Sequence, residues 1–388
     1  MTDTGSLIDR VRERLAVERA PLRPGVVAEA IRAESGGLLG DSEVLAGMRI
    51  LQTELTGAGI LDPLLRGEGT TDVLVTAPDA VWVDDGNGLR RSAIRFDDEE
   101  SVRRLAQRLA LVAGRRLDDS QPWVDGQISC LGEDSVRLHA VLPPIAVAGT
   151  CISLRVLRPA RQDLAALAAG GAIPGPALEL LHRIIAGRLA FLICGGTGAG
   201  KTTLLSAALG AVAAHERIVC VEDAPELAPR HPHVVKLVAR GANIEGVGQV
   251  TVRDLVRQAL RMRPDRIVVG EVRGAEVVDL LTALNTGHDG GAGTVHANSA
   301  AEVPARLEAL AGLGGLDRAV LHSQLAAAVQ VILQVGRDVR GRRRLAEIAV
   351  LRRGSQGWVQ ARTAWHADGG FGSGAAILDT HLAERGIR

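Results

Sequence analysis

Nine consecutive residues, Gly195-Gly196-Thr197-Gly198-Ala199-Gly200-Lys201-Thr202-Thr203, constrain this chain more than any other stretch. They fit G-x-x-x-x-G-K-[ST], a phosphate-binding loop, which requires a strand before it and a helix after it. Both are legible. Leu189-Ala190-Phe191-Leu192-Ile193-Cys194 is a continuous apolar run, and Thr203 to Ala214 reads as a helix whose N-terminus faces the anion. The glycines let successive backbone N–H groups turn toward phosphate oxygens. Lys201 would sit on the β- and γ-oxygens, and the Thr202 hydroxyl would help hold Mg²⁺. Of 45 basic residues only two are lysines, Lys201 and Lys236, so a compact ammonium is kept where a phosphate turn needs one. The ligand is a nucleoside triphosphate. Guanine specificity would need an Asn-Lys-x-Asp element, and Lys236 lies instead in Val234-Val235-Lys236-Leu237, so the nucleotide is read as ATP.

The rest of the composition narrows the class. A chain of 388 residues predicts two or three domains with well-filled cores. Zero formal net charge gives no global basic field, and 2% aromatics with no tyrosine offers few stacking platforms for single strands. No stable nucleic-acid binding is therefore expected. Cys130, Cys151, Cys194 and Cys220 show no C-x-x-C spacing and read as reduced thiols of a cytoplasmic protein. The polar N-terminus gives no signal peptide, and the apolar stretch from Ala319 to Val335 is broken by His322, Ser323, Gln324 and Gln330. A soluble protein is expected.

Four regions follow from texture. Residues 1–60 read as an N-terminal helical segment, with Leu7, Val11 and Leu15 on one face. Residues 61–156 read as a small α+β domain: strands around a turn at Ala77-Pro78-Asp79, a helix from Ser101 to Ala113, and paired strands either side of Pro143-Pro144. A linker rich in Pro, Ala and Gly is expected over 157–176. From 177 to 388 strands at 189–194, 217–221, 266–269 and 293–296 alternate with helices at 203–214, 251–262 and 275–285. That alternation predicts an α/β domain with a mostly parallel sheet. Ser299 and Glu302 predict a capping box, and three antiparallel strands close the chain as a C-terminal extension.

Hydrolysis needs carboxylates beside the loop. Arg266-Ile267-Val268-Val269-Gly270-Glu271 is a buried strand ending in an acid, with Gly270 where an aspartate commonly supports the metal. Ile218 to Val221 is followed by Glu222, Asp223 and, after a turn, Glu226. Strand C-termini share one rim in an α/β sheet, so these acids can converge on the loop. His288, His296, His231 and His233 lack a zinc-ligand spacing; His296, at a strand end, is placed near the γ-phosphate as a sensor of nucleotide state.

Together, Gly195–Thr203, Val221-Glu222-Asp223-Ala224-Pro225-Glu226-Leu227, Arg263 through Gly274 and Asn285-Thr286-Gly287-His288-Asp289-Gly290 with Thr294-Val295-His296-Ala297-Asn298-Ser299 resemble the type II/IV secretion ATPase family. They stand where that family has its Walker A, Asp box, Walker B and His box, in order. The likeness extends upstream through Pro122-Trp123-Val124-Asp125-Gly126, Val136 to Pro144 and Ile152-Ser153-Leu154-Arg155, covering roughly 60–365. The chain is most similar to the tight-adherence pilus and conjugal-transfer branch, since it lacks the four-cysteine insertion of general secretory members. The resemblance implies a RecA-like P-loop ATPase domain behind a PAS-like N-terminal domain, a homohexamer, and peripheral association with an inner-membrane platform protein. ATP and Mg²⁺ would be its ligands and ATP hydrolysis its activity, powering pilus assembly or secretion, with conjugal DNA transfer as the alternative. It further implies that Glu271 and Glu222 handle metal and water, with Thr202 and Glu271 on Mg²⁺. Arg137, Arg155, Arg158 and Arg240 would reach phosphates.

Overall fold

The computed structural model describes residues 57–388 apart from 87, 129–134, 159–160, 244 and 388; ahead of 57 it describes residues 10–11, 14, 24–37, 40 and 43–45. The Leu7 and Leu15 positions of the N-terminal helical face, and Cys130, lie outside the described residues; Val11 is helical and buried. The chain divides into two compact units, Met1–Arg158 and Pro159–Arg388.

In the first unit a helix over Pro24–Glu34 (α1) and a short one over Asp62–Leu65 (α2) precede a six-stranded sheet. Its strands are β1 (Asp72–Ala77), β2 (Ala80–Asp84), β3 (Leu89–Arg91), β4 (Trp123–Ile128), β5 (Ser135–Val141) and β6 (Cys151–Leu157). They are ordered β3-β2-β1-β6-β5-β4 and antiparallel throughout. Alternation puts Val73, Val75, Val81, Val83, Leu138 and Leu154 on one buried face. Helix α3 (Glu99–Val112) covers it with Val102, Leu105 and Leu109, and starts where Asp98 accepts the Ser101 N–H at 2.7 Å.

The second unit alternates as the sequence predicts. Helices α4 (Leu164–Ala169) and α5 (Gly175–Ala186) lead into β7 (Phe191–Cys194), α6 (Lys201–Gly210), β8 (Ile218–Glu222) and β9 (Val234–Val238). Then come α7 (Val252–Ala259), β10 (Arg266–Val272), α8 (Glu276–Leu284), β11 (Ala292–Val295), α9 (Val303–Leu313) and α10 (Arg318–Ala328). The chain closes with β12 (Val331–Arg337), β13 (Arg343–Arg353), β14 (Val359–His366), β15 (Gly370–Phe371) and α11 (Ala375–Glu384). One nine-stranded sheet runs β15-β14-β13-β12-β7-β11-β10-β8-β9, parallel from β12 through β9 and antiparallel beyond β12.

Both faces of the parallel part are buried, which is why these strands read as unbroken apolar runs. Phe191, Ile193, Cys220 and Val268 pack to one side with α5 and α6; Leu192, Cys194, Val221 and Val269 pack to the other with α7, α8 and α9. The 157–176 stretch is ordered along much of its length: it contains α4, and Leu164 and Ile173 join the core of the second unit. The capping box expected of Ser299 and Glu302 is not made. Glu302 instead accepts the Asn298 N–H at 3.1 Å, whereas a true capping box, Thr251 with Asp254, opens α7.

β7 lies between β11 and β12, and the chain then passes β11 and β10 to build β8. That reversal opens a crevice at the C-terminal ends of β7, β8, β10 and β11, the usual ligand position in an open α/β sheet.

Candidate active site

The loop after β7 holds its shape through backbone that side chains would forbid. Gly200, the N-cap of α6, has φ of 100°, and at Gly195 a Cβ would approach the Val335 carbonyl oxygen of β12 to 2.4 Å. The loop thus lies against β12, and its N–H groups lead into the free N-terminus of α6. Lys201 is only 8% exposed. Its Nζ donates to the carbonyls of Gly195 (3.0 Å) and Gly196 (2.9 Å). Burial pulls the Lys201 ammonium below its ordinary pKa, against the pull of Glu271, Cys194 and Glu226.

His296 follows β11 and Glu271 lies within β10, so neighbouring parallel strands deliver both to the crevice rim. His296 Nε2 is 2.6 Å from Glu271 Oε1, and His296 Nδ1 is 3.4 Å from Lys201 Nζ. An ammonium only donates. With Nδ1 turned to Lys201 as acceptor, the proton of a neutral His296 sits on Nε2 and is given to Glu271. The three form one chain from the phosphate-loop cation to the strand-end acid.

The second acid cluster divides into two roles. Glu222, 3% exposed at the end of β8, is the buried one. Its Oε1 accepts the N–H groups of Glu226 (3.0 Å) and Leu227 (2.8 Å), while Oε2 has no hydrogen-bond partner among the described residues. Burial drives its carboxyl up to about 7 despite those two N–H donors. Glu222 therefore holds the 223–227 turn from below. The carboxylate this turn presents is Glu226, whose Oε2 accepts from Thr202 Oγ1 at 3.3 Å. Glu226, not Glu222, faces the Thr202 hydroxyl. Gly270 belongs to the same arrangement: a Cβ there would lie 2.8 Å from Glu222 Cγ, so the buried glutamate occupies the room an aspartate on β10 would need. Thr294 Oγ1 donates to the Gly270 carbonyl at 2.6 Å, Arg273 pairs with Asp223, and Glu276 Oε1 accepts the Arg273 and Gly274 N–H groups at 2.7 Å.

Oxygen donors from a hydroxyl and a carboxylate next to a phosphate cradle are the hard ligands Mg²⁺ takes, with water and substrate oxygens completing its shell. Thr202 and Glu226 fit that role together, and Glu271 stands on the other side of Lys201 through His296. The other histidines have local partners: His288 Nδ1 lies 3.1 Å from the Ala283 carbonyl and His231 Nε2 3.1 Å from that of Ala213. Burial pushes the thiols of Cys194 and Cys220 up to about 12, so neither is a nucleophile.

The four arginines have partners within their own units. Arg240 donates to the Gly248 carbonyl (3.0 Å) and bridges to Val250, closing its own loop past edge strand β9, four strands from β7. Arg137 and Arg155 belong to the first unit and are register partners on β5 and β6. Arg137 pairs with Asp125 through two nitrogens (2.7 and 3.1 Å), Arg155 with Asp72 (2.9 Å), and Arg158 donates to the Gly67 carbonyl (2.9 Å).

Residues 54–340 match the family described as Type II/IV secretion system protein. A Mycobacterium tuberculosis (strain ATCC 25618 / H37Rv) protein provisionally named for conjugal transfer is 75% identical over 350 residues, 90% of this chain and 99% of its own. The type IV secretion system protein PtlH of Bordetella pertussis is 32% identical over 303 residues, 71% of this chain and 86% of its own. Among solved structures, the pilus retraction motor PilT with bound ADP aligns at TM-score 0.54 and 24% identity, over 74% of this chain and 81% of that one. The Legionella pneumophila ATPase DotB aligns at TM-score 0.52 and 19% identity, over 74% and 78%. Both share its RecA-like α/β fold.

Proposed function

Because the chain belongs to the type II/IV secretion system protein family, we propose that it is an ATP-hydrolysing motor that powers pilus assembly or protein secretion at the bacterial inner membrane. The observation that carries this is the linked set around the phosphate loop: Lys201–His296–Glu271 on one side and Thr202–Glu226 on the other. Lys201 and the loop N–H groups bind the phosphates, Thr202 and Glu226 hold Mg²⁺, and Glu271 orients the attacking water. The metal would neutralise charge on the phosphate oxygens when bound. His296, hydrogen-bonded to both Lys201 and Glu271, moves with any change at the γ-phosphate and so relays nucleotide state.

The working form in this reading is a homohexamer on the cytoplasmic side, docked on an inner-membrane platform protein, with the first unit as its PAS-like domain. Arg155, with Arg137 beside it, would be brought to the phosphates when the units close, exchanging Asp72 for the γ-phosphate; an arginine so placed contributes on the order of 10³-fold or more.

The decisive assay is ATP turnover of Glu271→Gln beside ATP binding. Gln still accepts from His296 but cannot orient water as a carboxylate does, so binding should persist while turnover falls about 10²–10⁴-fold. Wild-type turnover in this variant would refute the assignment of Glu271. The relatives named for conjugal transfer favour one second reading, a motor of DNA transfer. Turnover stimulated by DNA, with a stimulation that falls steeply as salt rises, would support it over the first.

A further inference from the structure

The chain has only three phenylalanines. Phe191 lies in the core of the second unit and Phe96 packs against that of the first, but Phe371 is 65% exposed. Its exposure is imposed by the backbone around it. The Gly372 and Gly374 N–H groups donate to the carbonyls of Ala364 (3.0 Å) and Thr363 (2.7 Å). A Cβ at either glycine would meet a β14 carbonyl oxygen at 2.5 or 2.4 Å. Only glycine allows so close an approach, so this strap lies directly on β14 and presents the ring outward from a fixed segment.

Phe371 borders a cavity of about 440 Å³ formed by α5, α11, β14 and β15, within the second unit. Lys201, Glu226, Glu271 and His296 do not line it. Its volume falls in the roughly 300–1,000 Å³ range of ligand-binding pockets. Leu180, Ala364 and Leu378, each at most 5% exposed, give it an apolar floor. The charged residues of its lining are Glu179, Arg183 and Asp379. Arg183 donates to Asp379 at 3.1 Å, and Glu179 has no ion-pair or hydrogen-bond partner among the described residues. Two carboxylates against one guanidinium leave a negative charge next to an aromatic face and above an apolar floor. An aromatic face attracts cations, as a carboxylate does. Lysine and arginine bring both a cationic head and an aliphatic stem to such a surface.

We infer that this cavity docks a basic segment of a partner protein, one in which an arginine or lysine stands beside an aliphatic residue. The cation meets Phe371 and Glu179, and the aliphatic side chain fills the floor over Leu180 and Leu378. Cytoplasmic loops of membrane proteins carry an excess of Lys and Arg. The platform protein of the motor reading is therefore the donor of the segment. Naming that donor rests on the motor reading; the chemistry of the site does not.

The test is a display library of short random peptides panned on the full chain, followed by fluorescence anisotropy of the enriched peptides. Enriched sequences should pair Arg or Lys with Leu, Ile or Val. Phe371→Ala should weaken their binding about tenfold, and Phe371→Trp should restore it, because tryptophan is the strongest cation–π face. Glu179→Gln should weaken binding several-fold and flatten its salt dependence. Both positions are exposed and lie outside the phosphate-loop site, so folding and ATP turnover should match wild type in every variant. No enrichment, enrichment of acidic sequences, or equal binding by Phe371→Ala would overturn the proposal. Slower sedimentation of Phe371→Ala than of wild type would make this face a contact between copies of the chain and overturn it as well. Synthetic peptides from the platform protein's cytoplasmic loops should compete with the enriched ones; if they do not, the donor is wrong and the site stands. Absence of ATP turnover in wild type would refute the motor reading, whatever the peptides do.

Discussion

Replacing Glu222 by glutamine should make the protein more stable at alkaline pH. Burial has driven this carboxyl from 4.5 up to about 7, with only Oε1 hydrogen-bonded. A carboxyl with a raised folded-state pKa holds its proton more tightly folded than unfolded. Its contribution is therefore complete below 4.5 and is lost as pH climbs through about 7. A difference of 2.5 units, 7 minus 4.5, at ~1.36 kcal/mol per unit corresponds to about 3 kcal/mol lost between pH 4.5 and pH 8. Glutamine keeps an Oε1 for the Glu226 and Leu227 N–H groups, places its NH₂ where Oε2 already lacks a partner, and does not titrate. Urea unfolding of wild type and Glu222→Gln should give similar stabilities near pH 4.5 and diverge by about 3 kcal/mol at pH 8, or about 6–12 °C in Tm for a unit of this size. Turnover should survive the change, because Glu226 and not Glu222 faces Thr202. Parallel pH–stability curves would refute the burial argument; loss of turnover comparable to that of Glu271→Gln would refute the division of roles.

Lys201→Ala should abolish ATP binding or turnover with circular dichroism unchanged, since Lys201 holds two loop carbonyls and carries no part of the core; wild-type turnover would sink the phosphate-loop assignment. Gly270→Ala should cost about 1–3 kcal/mol in urea unfolding by driving a Cβ into Glu222 Cγ. Adding Glu222→Ala, which removes the γ atom, should relieve most of it, and simple additivity of the two changes would show that the clash is not the cause. Arg266, 1% exposed, is paired with Glu216 at 2.9 and 3.0 Å and donates to the Ile185 carbonyl. Arg266→Met leaves Glu216 charged and buried, so it should destabilise by about 3–5 kcal/mol, and Glu216→Gln in the same chain should recover much of the loss in thermal unfolding.

The second unit was legible because its sheet is buried on both faces. Phe191–Cys194, Ile218–Glu222 and Arg266–Val272 had to be apolar runs, and the alternation of runs with helical periods predicts the parallel order directly. Short polar devices were less legible. Ser299 and Glu302 have the spacing of a capping box, yet Glu302 finds the Asn298 N–H nearer, and the box forms at Thr251 and Asp254, where aspartate replaces the usual glutamate. Proline and glycine in 157–176 suggest a linker, but Leu164 and Ile173 have core to bury against that only the folded sheet provides.

Site chemistry separates along a similar line. Lys201, Thr202, Glu271 and His296 could be grouped from the sequence because each stands at a fixed offset from a strand end, and strand ends meet at one rim. Choosing between Glu222 and Glu226 depends on which side of a five-residue turn faces the crevice, and side-chain period alone does not carry that. One local signal was present: an apolar strand that runs straight into Glu222, opposite a glycine where β10 would ordinarily carry an acid. A glycine at that position makes room, and the side chain needing the room is the one that goes inside. The buried acid is then Glu222, and Glu226, four residues on across the turn, is left to meet Thr202.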